Sequence, residues 1–245
     1  MIRWNWAFID RPADRFDEAA AFWATVTGAR LSERRGANGE FATLIAAQGD
    51  PCLRMQAVGD SGGAHLDLDV DDLVAAKQRA QALGASVVAD HGSWALMRSP
   101  QGLAFCLTTE NGRQVPSPVP SAGGSVSRLD QICLDIGPSG FDEEVRFWSE
   151  LTGWGLSGTS EPEFTRLAVP DRLPIRILLQ RLTQDRAPSA HLDLACSDVE
   201  DVAAWHQGLG ARRIGEGATW TVMRDPVGGI YCLTDRDPYT GRAKQ

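Results

Sequence analysis

The segment Ala64-His65-Leu66-Asp67-Leu68 recurs as Ala190-His191-Leu192-Asp193-Leu194, 126 positions on, and the register then holds without a gap to the end of each half. Leu83-Gly84-Ala85 returns as Leu209-Gly210-Ala211, and Trp94 returns as Trp220. Met97-Arg98, Pro100, Gly102 and Cys106-Leu107-Thr108 return as Met223-Arg224, Pro226, Gly228 and Cys232-Leu233-Thr234. A spacing shared over that length marks one structural unit used twice. Within 245 residues it gives two units near the commonest domain size, each able to bury its own core.

Local patterns fill in each unit. Trp4 to Asp10 reads as a strand and Phe16 to Thr27 as a helix, with Ala19, Phe22, Trp23 and Val26 on one face. Leu129 to Ile136 and Phe141 to Thr152 repeat that pair, with Val145, Trp148 and Leu151 on the helix face. Three short strands follow in each half. The repeated block then opens with a strand, Ala64 to Val70 or Ala190 to Cys196. Next comes a helix capped by Asp72 or Asp198 and closed by Gly84 or Gly210, and three more strands. Residues 111–126 hold three prolines and three glycines and read as a linker. The expected organisation is therefore a first domain over 1–110, that linker, a second domain over 127–236, and a polar tail over 237–245.

Composition narrows the function. The net charge of −8, with no Lys/Arg stripe, excludes nucleic acid as a partner. No apolar run reaches the ~18 residues of a membrane span. The five cysteines are scattered, without a CxxC pair, and read as free buried thiols. Together with an N-terminus that lacks a signal-peptide layout, they suggest a reducing cytoplasm.

The blocks AHLDLDVDDL…LGA and SPQGLAFCLT, repeated as AHLDLACSDV…LGA and DPVGGIYCLT, resemble the vicinal oxygen chelate superfamily. That group includes glyoxalase I, bleomycin-resistance proteins and extradiol dioxygenases. The resemblance spans about residues 2–110 and 127–236. It implies an α+β fold of two tandem glyoxalase-like domains, each a pair of βαβββ modules forming a curved mixed sheet around a cavity.

In metal-dependent members of that superfamily, ligands stand on strands one, four, five and eight. Carried over position by position, strand five offers His65 and His191. Strand one offers Trp6 in the first half and Gln131 in the second. Strand four offers Gln56 and Gln180. Strand eight offers Cys106 and Cys232 where the superfamily has Glu. Trp94 and Trp220 are further candidates for the cavity wall. The resemblance leaves open whether each half closes its own cavity or the halves exchange modules.

By period-2 alternation Asp67 and Asp193 share a strand face with the histidines, so His-x-Asp is either an orienting pair or a wet-face feature. Lacking the superfamily's strand-eight carboxylate, the chain is expected to bind a small molecule without a catalytic metal or other cofactor. A divalent metal held by His191, Gln131 and Cys232 is the weaker alternative. With it goes the alternative function, a lyase or isomerase acting on a small oxygenated metabolite at the second domain. The sequence leaves enzyme or binder undecided. The expected assembly is a pseudo-dimer within one chain, with a homodimer as a further option.

Overall fold

The computed structural model describes residues 1–59, 62–159 and 161–244; Gln245, the end of the expected tail, lies outside them. The first half runs β1 (Ile2–Pro12), a 3-10 turn (Ala13–Arg15), α1 (Phe16–Val26), β2 (Ala29–Leu31), β3 (Phe41–Ala46), β4 (Leu53–Val58), β5 (Gly63–Val70), α2 (Leu73–Ala82), β6 (Ser86–Asp90), β7 (Ala95–Arg98) and β8 (Ala104–Thr108). A two-residue strand β9 (Val119–Pro120) intervenes. The second half repeats the plan. It runs β10 (Val126–Ile136), α3 (Phe141–Thr152), β11 (Leu156–Gly158), β12 (Phe164–Leu167), β13 (Arg176–Arg181), β14 (Ser189–Cys196), α4 (Val199–Gly208), β15 (Arg212–Glu216), β16 (Trp220–Arg224) and β17 (Ile230–Thr234).

Each half is one mixed sheet, in the order β2-β3-β4-β1-β5-β8-β7-β6 and β11-β12-β13-β10-β14-β17-β16-β15. The expected tandem α+β architecture is thus present. Among the described residues no helix is long and apolar enough to cross a membrane. The helices start where the sequence marks them: the Asp72 and Asp198 side chains accept from the backbone N–H of Ala75 and Asp201. The turn before each last strand needs glycine, because Gly102 and Gly228 sit at φ 97° and 103°.

Each sheet has one face on a cavity and one on the shared core. On β5, Leu66, Leu68 and Val70 are buried in that core, and β5 runs against β14 of the other half. The helix after each half's first strand crosses over. On α1, Trp23 packs edge-on to Tyr231 of β17 with ring centroids 5.2 Å apart, and Phe22 meets His206 of α4 at 5.7 Å. On α3, Trp148 and Phe147 meet Phe105 of β8 at 5.1 and 5.8 Å. Their 3.6-residue spacing identifies these tryptophans as core; the half they pack against is set by tertiary structure.

The crossing carries buried charge. Arg11, 1% exposed, donates from Nε to Asp225 Oδ2 at 2.6 Å, and Trp23 Nε1 donates to the same oxygen at 3.0 Å. On the pseudo-symmetric side, the Ser99 hydroxyl donates to the buried Glu144 on α3.

Residues 111–126 do not hang free. Val119–Pro120 pairs with β10, and Asp50 accepts from the backbone N–H groups of Arg113 and Gln114. Proline removes donors but still lets such a segment lie along an edge. The polar tail also folds back, with Arg236 paired to Ala243 and Lys244 bonded to Asp235.

Candidate functional site

The central strand pair builds the site. Antiparallel pairing of β1 with β5 sets Phe8 opposite His65 and Trp6 opposite Asp67. Parallel pairing of β5 with β8 sets Cys106 beside Asp67, and β4 sets Gln56 beside Asp10. The copy pairs Cys133 with His191, Gln131 with Asp193, Asp193 with Cys232, and Asp135 with Gln180. Alternation therefore brings one imidazole and two carboxylates to the same face in each half.

The first cavity encloses about 530 Å³ and is lined by Phe8, Phe41 and Trp94 above a floor containing Asp10, His65 and Asp67; Gln56 and Cys106 also line it. The second, about 420 Å³, is lined by Gln131, Gln180, His191, Cys232 and Trp220 among others, and Ala243 and Lys244 of the folded tail reach it. Each lining comes from one half, so the cavities close within the halves while the helices exchange behind them. Trp6 is not in the lining. Its indole donates to Asp69 Oδ2 at 2.8 Å, and the Arg54 guanidinium lies 3.8 Å over its ring. Arg54, paired with Glu110, covers the indole that the sequence placed in the cavity lining.

Two residues outside the sequence-based set hold the histidines. Asp10 Oδ2 lies 2.7 Å from His65 Nδ1, and Asp135 Oδ2 lies 3.0 Å from His191 Nδ1. The signal was available: both aspartates stand four residues after Trp6 and Gln131, at matching places in the duplicated strand. Phe8 stacks on His65 with centroids 4.2 Å apart, fixing the ring plane. In the second half Cys133 replaces Phe8, and Gln131 Nε2 donates to Asp193 Oδ2 at 2.6 Å.

The carboxylates set the protonation. Burial opposes the charged form of His65, but the Asp10 carboxylate and its hydrogen bond, with Asp67 beyond, outweigh it and raise the pKa. For His191 burial is again outweighed, by the neighbouring Cys133 sulfur and the Asp135 hydrogen bond, and the pKa is held well above the ordinary imidazole value. Burial pushes Asp67 and Asp193 up, against the pull of the adjacent histidines. Burial and the Asp67 carboxylate push the Cys106 thiol up.

A folded-state imidazole with a raised pKa favours folding below its ordinary pKa. That contribution is lost as pH rises through the raised value. Asp10→Asn removes the largest support, and the His65 pKa is expected to fall by at least about 1 unit. Titration of its ring Cε1–H by NMR measures the change, and an unmoved pKa would contradict the assignment.

The superfamily implies a metal, and the donors present decide which ions suit. The iron set of two imidazoles and one carboxylate is not assembled. Among the described residues each cavity offers one imidazole, since His91 stacks on Trp94 and His206 is buried against Tyr231. The trios His65–Asp67–Cys106 and His191–Asp193–Cys232 each gather N, O and S donors within 4.8 Å. Nε2 lies 3.7 and 3.5 Å from Asp67 and Asp193 Oδ1, and those oxygens are buried without hydrogen-bond partners among the described residues. Such separations exceed a hydrogen bond and approach the edge of about 3.4 Å between ligands of a tetrahedral ion. The trios therefore fit zinc in donor type and spacing, and its binding would displace protons from these groups.

A family model described as a glyoxalase-like domain matches the chain twice, over residues 6–108 and 131–234. A search of curated protein sequences finds no match. Among solved structures, the chain is similar to 2,2',3-trihydroxybiphenyl 1,2-dioxygenase from the dibenzofuran-degrading Sphingomonas wittichii strain RW1. That match has a TM-score of 0.64 and 17% identity, covering 96% of this chain and 90% of that one. An extradiol ring-cleaving dioxygenase from B. fuscum gives a TM-score of 0.64 and 16% identity over 98% of this chain and 73% of that one. A catechol 2,3-dioxygenase gives 0.62 and 14% over 100% and 91%. At such identities the likeness is one of fold.

Proposed function

Because the chain belongs to the glyoxalase-like domain family and carries that domain twice, we propose that it binds a small molecule in its first cavity without a catalytic metal. The ligand class is a neutral planar aromatic compound bearing a hydroxyl or carbonyl oxygen. One observation carries this reading. His65 is clamped through Nδ1 by Asp10, and its Nε2 has no hydrogen-bond partner among the described residues while the ring lines an aromatic-walled cavity of about 530 Å³. That volume suits a small organic ligand. Phe8, Phe41 and Trp94 supply planar walls, and the charged imidazole supplies one directed N–H donor to a ligand oxygen.

Titration with acetophenone and catechol, followed by tryptophan fluorescence, tests the reading. Saturable binding is expected at pH 6, weakening as pH rises through the His65 pKa and the donor is lost. His65→Phe keeps the aromatic wall and removes the donor, so affinity falls about tenfold or more. Binding that is absent, or equal in the variant, would refute it. Metal analysis of protein purified without chelator should find under about 0.1 equivalent of metal per chain.

A second reading is favoured by the His191–Asp193–Cys232 trio: an enzyme, a lyase or isomerase, acting on a small oxygenated metabolite at the second half. Zinc held there would polarise a substrate oxygen, with Asp135 orienting His191 from behind. Stoichiometric zinc that is lost in Cys232→Ser would favour this reading over the first.

A further inference from the structure

We infer that the second cavity is a binding site for a small organic monocarboxylate, held through its carboxylate by Arg166. The inference stands apart from the first-cavity reading, because it rests on Arg166, whose place in the first half is taken by Thr43.

Arg166 lies on β12 with Phe164 on the same face, and both line the cavity. Among the described residues no carboxylate forms an ion pair within 4.0 Å of the Arg166 guanidinium, and the side chain is half-buried. The other cations of the cavity are matched. Arg236 forms a two-pronged pair with Asp130 at 2.7 and 3.0 Å. Lys244 is bonded to Asp235, and His191 to Asp135 at 3.0 Å. Burial and the like charges of Arg236 and Arg176 weigh on Arg166, with Asp130 and Glu161 pulling the other way from beyond ion-pair distance, and an entering carboxylate adds the close, hydrogen-bonded partner that neither supplies.

The first half shows what has changed. Strand registers place Arg166, Leu178, Cys133 and His191 in one row across the second sheet. The matching row of the first sheet is Thr43, Arg54, Phe8 and His65. There the arginine stands one strand nearer the histidine and is already neutralised by Glu110 and laid over Trp6. In the second half the cation has moved outward by one strand and, among the described residues, has no carboxylate within 4.0 Å.

The row also sets the size of the ligand. Arg166 and His191 are three strand spacings apart, about 14 Å between backbones. Once both side chains reach inward, a gap of roughly one benzene ring with a substituent at each end remains. Phe164 and Trp220, edge-on at 5.5 Å, give an apolar wall along it. A planar guanidinium takes a carboxylate or a phosphate equally well by shape. The cavity lining also contains Glu161, Asp193 and Asp235. A dianionic phosphate meets that negative field with twice the charge, so the single charge of a carboxylate is favoured.

The test is isothermal titration calorimetry at pH 7 of the full chain carrying His65→Phe, which removes the donor of the first cavity, with four probes: benzoate, 4-hydroxybenzoate, 4-hydroxybenzamide and 4-hydroxyphenyl phosphate. One carboxylate site per chain is expected, with 4-hydroxybenzoate at least about tenfold tighter than the neutral amide and tighter than the phosphate. Arg166→Gln should weaken carboxylate binding at least about tenfold, and Arg166→Lys should restore part of it. A circular-dichroism melt confirms that both variants fold. In a chain with His65 intact, the neutral-aromatic binding assigned to the first cavity should survive Arg166→Gln, so the two readings fail separately. Carboxylate affinity unchanged in Arg166→Gln, the amide binding as tightly as the acid, the phosphate binding tighter, or no carboxylate binding at 10 mM (roughly the weak limit for a specific site) would each overturn the inference.

Discussion

Replacing Arg11 by isoleucine is expected to lower the unfolding free energy by about 3–5 kcal/mol, measured as a reduced urea midpoint at unchanged slope. The side chain is buried, its Nε is 2.6 Å from Asp225 Oδ2, and its Nη1 donates to the carbonyl oxygens of Asp10 and Gly63 at 2.7 and 2.8 Å. Isoleucine leaves a carboxylate without its cation between the two halves. The duplication supplies the compensating change. At the matching positions of the other half stand Ile136 and Ser99, a pair that needs no charge. Arg11→Ile combined with Asp225→Ser should therefore recover all but about 1–2 kcal/mol. Additive losses would show that the two residues are not coupled. Because Arg11 also holds the carbonyl of Asp10, the single variant should disturb the His65 titration, whereas a loss confined to the helix contact would leave it alone.

Glu144→Gln is expected to stabilise the protein, increasingly so as pH rises. Glu144 is fully buried on α3, bonded to Ser99 through one oxygen, and its Oε2 has no partner among the described residues. Burial, against the hydrogen bond from Ser99 and with the nearby charge of Glu143, raises its pKa to about 7. The unfolded chain ionises near 4.5, so between these values the folded form holds a proton that the unfolded form has released. Stability contributed by this residue falls as pH climbs through that window and is level above it. The span corresponds to about 3 kcal/mol. Urea unfolding of the parent and the variant at pH 4.5, 6 and 8 isolates it: the variant's advantage should grow by that amount and then stop. An advantage that is constant with pH would mean that the carboxyl is not held protonated.

The repeated register made the architecture legible, because offset and order alone identify two copies of one unit. Alternation along β5 also placed His65 with Asp67, and His191 with Asp193, on one face. Asp10 and Asp135 escaped because their role depends on how β1 registers against β5, a pairing between residues more than fifty positions apart. Local pattern gives a strand's two faces, not its offset from a distant neighbour. Trp6 was misplaced for a related reason. Its strand position was readable, but the Arg54 that covers it arrives from β4. The helix faces of Trp23 and Trp148 were equally plain, yet nothing in a 3.6-residue period says which sheet a helix will cover. Arg166 drew no notice, since a single arginine on a short strand is ordinary until the cavity it lines is seen.

The exchange of α1 and α3 has a consequence for how such a chain can diversify. A half standing alone would keep its second helix on the outer strands but lose the aromatic cover that the other half's helix lays on β8 or β17, and would have to borrow it from a second, identical copy. Two identical copies carry two identical cavities, and any substitution appears in both. Joining them in one polypeptide keeps the borrowed helices and lifts that symmetry. Position 43 can stay threonine while position 166 becomes arginine, and a tryptophan can be sealed under Arg54 on one side while a glutamine lines the cavity on the other. Two different molecules can then be held by a scaffold that still folds as a matched pair.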